Sequence, residues 1–431
     1  MVVTGRFALL ALASAALVMF VLPSLFGVAL ACVVLAGFAL VDIALTPRAG
    51  ALPLSRTPLT VVRLGNSTDV ELTVTNPTSA KIQGRLWDNW SETARAEGVA
   101  HDIVLPGNTR TRLSTTLRPA YRGDRVAGPV TLRLTGPMGF AGRQYQYDVP
   151  SRIRTLPAFA SERLLRSKVK RLHHLDGRNV ANTRGQGSEF DSFREYVAGD
   201  DVRAIDWRAT ARANDVLVRT WRPERNRHVL MVLDTSRAAA GRIGDGTRLD
   251  CSIEAALLLG GLAAAAGDTV DMLAFDEEVR AEVSGVSGTR LVGKLMHSLA
   301  PLVPRLVDSD TNALVRTIIS RLRRRALIVW FTSLDPATVN EHLLPALPTL
   351  AKRHRVLIVS VADPDIAAAA RDRTSADAIY QAAAAESVLS DRAMAAESLR
   401  RMGIAVITAA PEHLPEAIAD EYLELKSAGS Q

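Results

Sequence analysis

The chain has 431 residues, 48% hydrophobic and only 5% aromatic, which exceeds one ordinary domain and argues against a disordered or low-complexity polymer. Its two cysteines, Cys32 and Cys251, have no neighbour at CxxC or zinc-ligand spacing, so neither a disulfide framework nor a cysteine metal site is expected. The formal charge of +7 is concentrated in residues 151–228, where 17 Lys and Arg face 10 Asp and Glu, leaving 35 of each sign elsewhere; such a field draws acidic partners, lipid headgroups among them.

Phe7 to Leu22 is apolar or small throughout, Pro23-Ser24 interrupts it, and Leu25 to Val41 resumes it before Asp42. Residues 1–48 therefore read as two transmembrane helices, about 7–22 and 25–45, the first short against the ~20 residues a spanning helix needs. Arg6 and Arg48 flank the pair while its turn is uncharged. The positive-inside rule then puts both ends and the soluble body in the cytoplasm, as a two-pass protein of the cell membrane. A cleaved signal peptide ending near Ala13-Ser14-Ala15, or a lipid-modified Cys32, is disfavoured because the apolar run continues past either point.

Residues 52–150 change to short alternating runs: Thr60 to Leu64, Asp69 to Thr75, Ile82 to Trp87, Thr111 to Leu117, Val130 to Leu134 and Gln144 to Val149. Turn signals such as Asn76-Pro77, Pro106-Gly107-Asn108 and Gly136-Pro137 separate them, which predicts an antiparallel β-sandwich.

Residues 151–227 read as a basic connector without a long hydrophobic period, with Arg166, Lys168, Lys170 and Arg171 beside anionic lipid. Its densest motif, Gly187 to Arg212, holds Glu189, Phe190, Arg194, Tyr196, Gly199, Asp200, Asp201, Arg203, Asp206, Trp207 and Arg212, and continues to Arg219. Phe190, Phe193 and Val197 would share one side of a short helix. Phe190, Phe193, Tyr196 and Trp207 are four of the chain's 21 aromatic residues within 18 positions. Rings so clustered are expected to be buried in an interdomain clamp, with any partner docking built upon it.

From residue 228 to 427 strands alternate with helices. Predicted strands are Val229 to Leu233, Val270 to Phe275, Leu327 to Thr332, Val356 to Val361 and Ile404 to Thr408, preceded by Val216 to Trp221. Helices are predicted at Leu249 to Ala266, Arg290 to Leu299, Ala313 to Leu322, Val339 to Arg353, Ala376 to Met402 and Leu414 to Lys426. This is an α/β, Rossmann-type pattern with a parallel sheet covered on both faces, and ligand sites lie at the carboxyl ends of its strands.

The first such end reads Asp234-Thr235-Ser236-Arg237-Ala238. It resembles the von Willebrand factor A fold, whose metal-ion-dependent adhesion site uses D-x-S-x-S, a later Thr and an Asp after a further strand. The resemblance makes Asp234, Ser236 and Thr311 ligands of a degenerate metal site. Ala238 replaces the second Ser, Ser333 stands where the Asp is expected, and Asp335 is two residues late. No cofactor is expected beyond weak Mg2+ binding. Gly288 to Leu295 has phosphate-loop spacing, but Leu295 replaces its terminal Ser or Thr. The histidines, His173, His174 and His228 among them, form no catalytic set, and neither GxSxG nor HExxH occurs.

The stretch Gly187-Ser-Glu-Phe through Asp206-Trp207 and Leu217-Val218-Arg219, with the hairpin, the β segment and the von Willebrand A-like domain, resembles the "domain of unknown function fifty-eight" family. Arg122-Gly123, Gly128-Pro129 and Glu421 to Lys426 add to the match; the usual Asp-Pro before a Gly-containing turn is Gly136-Pro137 here. The resemblance implies a membrane-tethered adaptor or scaffold for a MoxR-type AAA+ ATPase, acting in the assembly or maturation of other proteins rather than as an enzyme. The alternatives are a metal-dependent hydrolase at Asp234 and a nucleic-acid-binding connector, the latter disfavoured because no aromatic residues interleave as stacking platforms.

Overall fold

The structure, a computed structural model, describes residues 2–47, 52–182, 189–197, 200–213, 215–222, 228–288 and 290–428, and their side chains except at 175–192, 220–222 and 428. The chain divides into two units, Met1–Leu156 and Pro157–Gln431.

In the first unit β1 (Val2–Val3) leads into α1 (Gly5–Val21) and α2 (Leu25–Leu45). Among the described residues α2 is the one helix long and apolar enough to cross a membrane; α1 is apolar but has 17 residues. The far end of α2 is fastened to the strands. Buried Asp42 accepts hydrogen bonds from the backbone N–H groups of Met138, Phe140 and Ala141 at 2.8, 2.7 and 2.8 Å. Thr4 Oγ1 donates to Gly139 O at 2.6 Å. Only glycine fits at 136, since a Cβ there would stand 2.2 Å from Asp42 Oδ1.

Ten more strands follow: β2 (Leu54–Arg56), β3 (Leu59–Arg63), β4 (Thr68–Asn76), β5 (Ile82–Trp90), β6 (Ala96–Glu97), β7 (Ala100–Leu105), β8 (Thr109–Leu117), β9 (Gly123–Thr135), β10 (Ala141–Tyr147) and β11 (Arg152–Leu156). They form a seven-stranded sheet, ordered β1-β10-β9-β11-β3 with β5 and β7 branching from β9, and a four-stranded sheet, β2-β4-β8-β6. Pairing is antiparallel except between β11 and β3. Alternating residues of both sheets meet in one apolar cluster that includes Leu72 and Val74 with Leu86, Leu105, Leu132 and Leu134. Within the unit Arg56 and Asp88 form a fully buried ion pair. Arg152 to Leu156, expected in the connector, is a strand because Ile153 and Thr155 turn inward on β9 and β3.

The second unit opens with α3 (Glu162–Asn182) where no regular structure was expected. The physical reason is the 164, 165, 169, 172 apolar stripe, which a mean dominated by basic residues conceals. Leu172 is buried, and Leu165 seats against Gly261, where a Cβ would approach its Cδ2 to 2.9 Å. Lys168 donates to Glu416 and Asp420 at 2.9 Å, and Arg171 to Asp420 at 2.9 Å. Two of the four basic residues assigned to lipid are thus engaged by acids of the same unit.

Next come β12 (Glu189–Glu195), α4 (Trp207–Thr210) and β13 (Leu217–Arg222). The α/β elements are β14 (His228–Asp234), a ribbon of β15 (Arg242–Ile243) and β16 (Gly246–Thr247), α5 (Arg248–Ala265), β17 (Thr269–Phe275), β18 (Val279–Val283), α6 (Arg290–Leu299) and α7 (Thr311–Arg321). Then follow β19 (Ala326–Phe331), α8 (Leu344–Ala351) entered through a π-helical segment at Thr338–Leu343, β20 (Arg355–Val361), α9 (Pro364–Ala369), α10 (Ala376–Arg401), β21 (Ala405–Ala409) and α11 (Leu414–Ala428). The sheet runs β18-β17-β14-β19-β20-β21, parallel except at the β18 edge. Its central strands are buried on both faces and read as continuous apolar runs. The order proceeds outward in both directions from β14 and β19, so their carboxyl ends are the topological switch point where such sheets bind ligands.

Candidate functional site

Residues 189–195 are a strand, not the helix expected for Phe190, Phe193 and Val197. An antiparallel ladder to β13 pairs its backbone, with one irregularity between Phe190 and Ser192. Gly187 and Gly199 lie outside the described residues, and Glu189 and Phe190 are described in their backbone only. Ion pairs and caps hold the remainder together. Arg194 binds Asp200 at 2.5 Å, and Asp200 also accepts from Val197 N at 3.0 Å. Asp201 accepts from Arg203 N. Asp206 caps α4 through the N–H groups of Arg208 and Ala209 and accepts from Arg219 Nε at 2.7 Å. Those Ala209 and Arg219 hydrogen bonds hold the Asp206 carboxyl below the usual carboxylate range.

The described rings of this block, Phe193, Tyr196 and Trp207, are not buried, contrary to the sequence expectation. Trp207 is 68% exposed, and Phe193, Tyr196, Val197 and Val202 are exposed beside it in sequence. The block closes on its own ladder and ion pairs, so Phe193, Tyr196 and Trp207 are left exposed. Arg203, Arg208 and Arg212 have no acidic side-chain partner among the described residues, and all three are exposed or half-exposed.

At the switch point the structure brings Asp234, Ser236 and Ser333 into one neighbourhood. Buried Asp234 accepts from Ser236 N at 2.9 Å and from Thr332 Oγ1 at 2.7 Å, and burial pushes its carboxyl up. Ser236 Oγ accepts from Ala238 N at 3.3 Å. Thr311, also buried, opens α7 after its cap Asp310, whose N–H donates to Asp276 O at 3.0 Å. Asp276, at the end of β17, accepts from Thr235 Oγ1 and Arg280. Burial pushes Asp276 up, but hydrogen bonds from Arg280, Glu277 N and Thr235 outweigh it and hold the carboxyl down.

Ser333 Oγ accepts from Arg248 Nη1 at 3.0 Å and donates to Asp335 Oδ2 at 2.6 Å, while Arg392 binds Asp335 Oδ1 at 2.9 Å. Both oxygens of Asp234 are therefore engaged, Ala238 offers no side-chain donor, and a guanidinium sits on Ser333. This donor set does not fit Mg2+, which takes several oxygen ligands in near-octahedral geometry. Among the described residues no group of three or more His, Cys, Asp or Glu could hold a metal. Arg248 and Arg392 were not anticipated, because 85 residues separate Arg248 from Ser333 and 57 separate Arg392 from Asp335. Asp276 carried a legible signal, an acid directly after a buried strand.

Leu291 and Leu295 of the phosphate-loop lookalike are buried core residues of α6. At the opposite, amino ends of the strands, His228 pairs with Asp271 at 2.7 Å. His354 is buried with Nδ1 unpartnered, and burial, then Arg353 and His228, lower its imidazole's proton affinity.

Comparison with known proteins gives one family, described as "Protein of unknown function DUF58", matching residues 192–369. Uncharacterized protein Rv1480 of Mycobacterium tuberculosis and Uncharacterized protein Mb1516 of Mycobacterium bovis are each 27% identical over 193 residues, 44% of this chain. The match spans 60% of the length of each relative. The Escherichia coli chaperone DraB aligns over 41% of this chain and 87% of its own at 12% identity, with a TM-score of 0.19, too low to carry an argument. The stretch that resembles the DUF58 family model, residues 192–369, holds both the exposed Trp207 block and the switch point.

Proposed function

We propose that the protein is a membrane-tethered adaptor that docks a MoxR-type AAA+ ATPase, or a comparable acidic protein, and assists the assembly or maturation of other proteins. The observation that carries this reading is the exposed Trp207 beside Arg203, Arg208 and Arg212, which have no acidic partners among the described residues. Trp and Arg are the side chains that most often dominate protein interfaces, and unpaired arginines select an acidic counterpart.

The architecture we infer is a two-pass helical hairpin with cytoplasmic ends, a β-sandwich and a von Willebrand A-like domain. The sheet order with its antiparallel edge and the shared core of the two β sheets support it. The hydrolase alternative has no comparable observation behind it, since Asp234 is buried and hydrogen-bonded on both oxygens. The nucleic-acid alternative loses Lys168 and Arg171 to ion pairs.

The test is copurification of the tagged, detergent-extracted protein from its host. An ATPase in the wild-type eluate that disappears with Trp207→Ala supports the adaptor; recovery of the same ATPase with Trp207→Ala and with Arg203→Glu overturns it.

A further inference from the structure

The two apolar helices of the first unit do not pack flush. Between α1 and α2 lies a groove of about 220 Å3, whose walls include Leu10, Leu17 and Val21 of α1 and Gly27, Ala31 and Phe38 of α2. Ser14, the hydroxyl-bearing residue of that lining, donates to Ala11 O at 2.9 Å and so presents no free donor to it. From Leu10 to Val21 the groove runs about 16 Å along α1. A volume of about 220 Å3 over that length gives a cross-section on the order of 14 Å2, against roughly 80 Å2 for a helix about 10 Å across, so the groove accepts a single alkyl chain and not a third helix.

One end of the groove carries positive charge. Arg6 precedes Leu10 by four residues and stands one turn below it on the same face of α1. Its guanidinium lies against the β9–β10 turn, where a Cβ at Gly139 would meet Nη1 at 2.9 Å, and Phe38 packs on Phe140 of that turn with ring centroids 6.0 Å apart. Arg6 is exposed and has no acidic side-chain partner among the described residues. Arg143, half-exposed, reaches the same end of α2 and donates to Ile43 O at 3.4 Å. The Pro23-Ser24 end is uncharged. With 17 residues α1 is about 26 Å long, a few ångströms short of the ~30 Å hydrocarbon core, which brings Arg6 to the level of the headgroups in a spanning hairpin.

We propose that this groove holds one acyl chain of an anionic phospholipid, whose headgroup phosphate rests on Arg6 while Arg143 adds to the positive field. The chain covers the apolar walls, and the guanidinium takes phosphate oxygens through its planar fork. Asp42, on the α2 side of the same turn, is buried and committed to three backbone N–H groups, so it does not receive the ammonium of a zwitterionic headgroup. The site rests on the reading of α1 and α2 as a membrane hairpin and is independent of ATPase docking.

Native mass spectrometry of the full chain in detergent micelles, with phosphatidylglycerol or phosphatidylcholine of the same acyl chains added, counts the lipids retained. One saturable phosphatidylglycerol is expected, held about 5-fold or more over phosphatidylcholine, the factor that one basic residue contributes toward an anionic headgroup. Arg6→Gln should remove that preference, and Ala31→Leu, which fills the groove and keeps the charge, should remove the bound lipid. Ala16→Leu, on α1 outside the groove lining, should change neither. Carbonate extraction of the wild-type chain from its membrane checks the hairpin: release into the supernatant overturns hairpin and site together. A chain that stays in the membrane but retains both lipids equally, or keeps phosphatidylglycerol unchanged in Arg6→Gln and Ala31→Leu, overturns the site alone. So does a dimer that Ala31→Leu abolishes, which assigns the groove to a second copy.

Discussion

Removing the Asp88 carboxylate should cost the first unit about 3 to 5 kcal/mol, the usual penalty for breaking a buried pair from one side. The side chains of Arg56 and Asp88 are both 0% exposed. Asp88 accepts from Arg56 Nε at 2.8 Å, Thr115 Oγ1 at 2.7 Å and Trp90 Nε1 at 3.3 Å. In Asp88→Ala the Arg56 guanidinium keeps its bonds to Gly128 O and Val149 O but loses its counterion. Arg56→Met with Asp88→Leu removes both charges together and should be far milder, within about 1 to 2 kcal/mol of wild type, because no uncompensated charge remains. Hydrogen exchange of peptides covering β4, β5 and β9, measured against urea on the full chain in micelles, reports the stability of this unit. A loss below about 1 kcal/mol in Asp88→Ala, or a double variant as unstable as the single, would refute the assignment of Asp88 as the counterion that makes Arg56 tolerable in the core.

Trp207→Ala should leave urea unfolding of the second unit within about 0.5 kcal/mol of wild type, as surface substitutions do; a loss of several kcal/mol would mean that the ring is buried. Gly136→Ala forces a Cβ onto Asp42 and should raise protease cleavage in the Gly136 to Ala141 turn severalfold, with Pro137→Ala as the control that changes no contact to Asp42. His354 has a lowered folded-state pKa, so the unfolded chain binds the extra proton: its stabilising share is present above the ordinary value of about 6.5 and is lost as pH falls through the lower folded value. The urea midpoint should therefore drop between pH 7.5 and 5.5, and His354→Phe should flatten that drop; parallel pH profiles would exclude the assignment.

The strands of the second unit were legible because β14, β19 and β20 are unbroken apolar runs ended by polar residues, and the helices between them carry their own periods. All six alternating runs predicted in the first unit occur as strands. The short β2 and β6 have too few residues for a period to declare itself, and β18 is an edge strand with charges at Arg280 and Glu282. Two elements depart from expectation for separate reasons. In α3 charge density masks a helical stripe, and in β12 the three-residue spacing of two phenylalanines suggests a helix, whereas pairing with β13, irregular between Phe190 and Ser192, makes it a strand. Burial of Trp207 was inferred from ring clustering alone, which does not distinguish a core from a display surface. At the switch point the strand-end acids were readable, but the guanidinium groups arrive from α5 and α10, and no local spacing connects them to Ser333 or Asp335.

A helix joined to a folded unit by a few free peptide bonds would act as a swivel. Here Asp42 gathers three amide N–H groups from one turn while Thr4, at the start of the other helix, grips the same turn, so both helix ends meet β10 in a single splinted joint. If α1 and α2 lie in a bilayer, as proposed, helix tilt and the heading of the β9–β10 hairpin would become one mechanical variable. A change in membrane thickness that tilts the helices would steer the first unit like a rudder, and a pull on its strands would be felt as torque among the lipids.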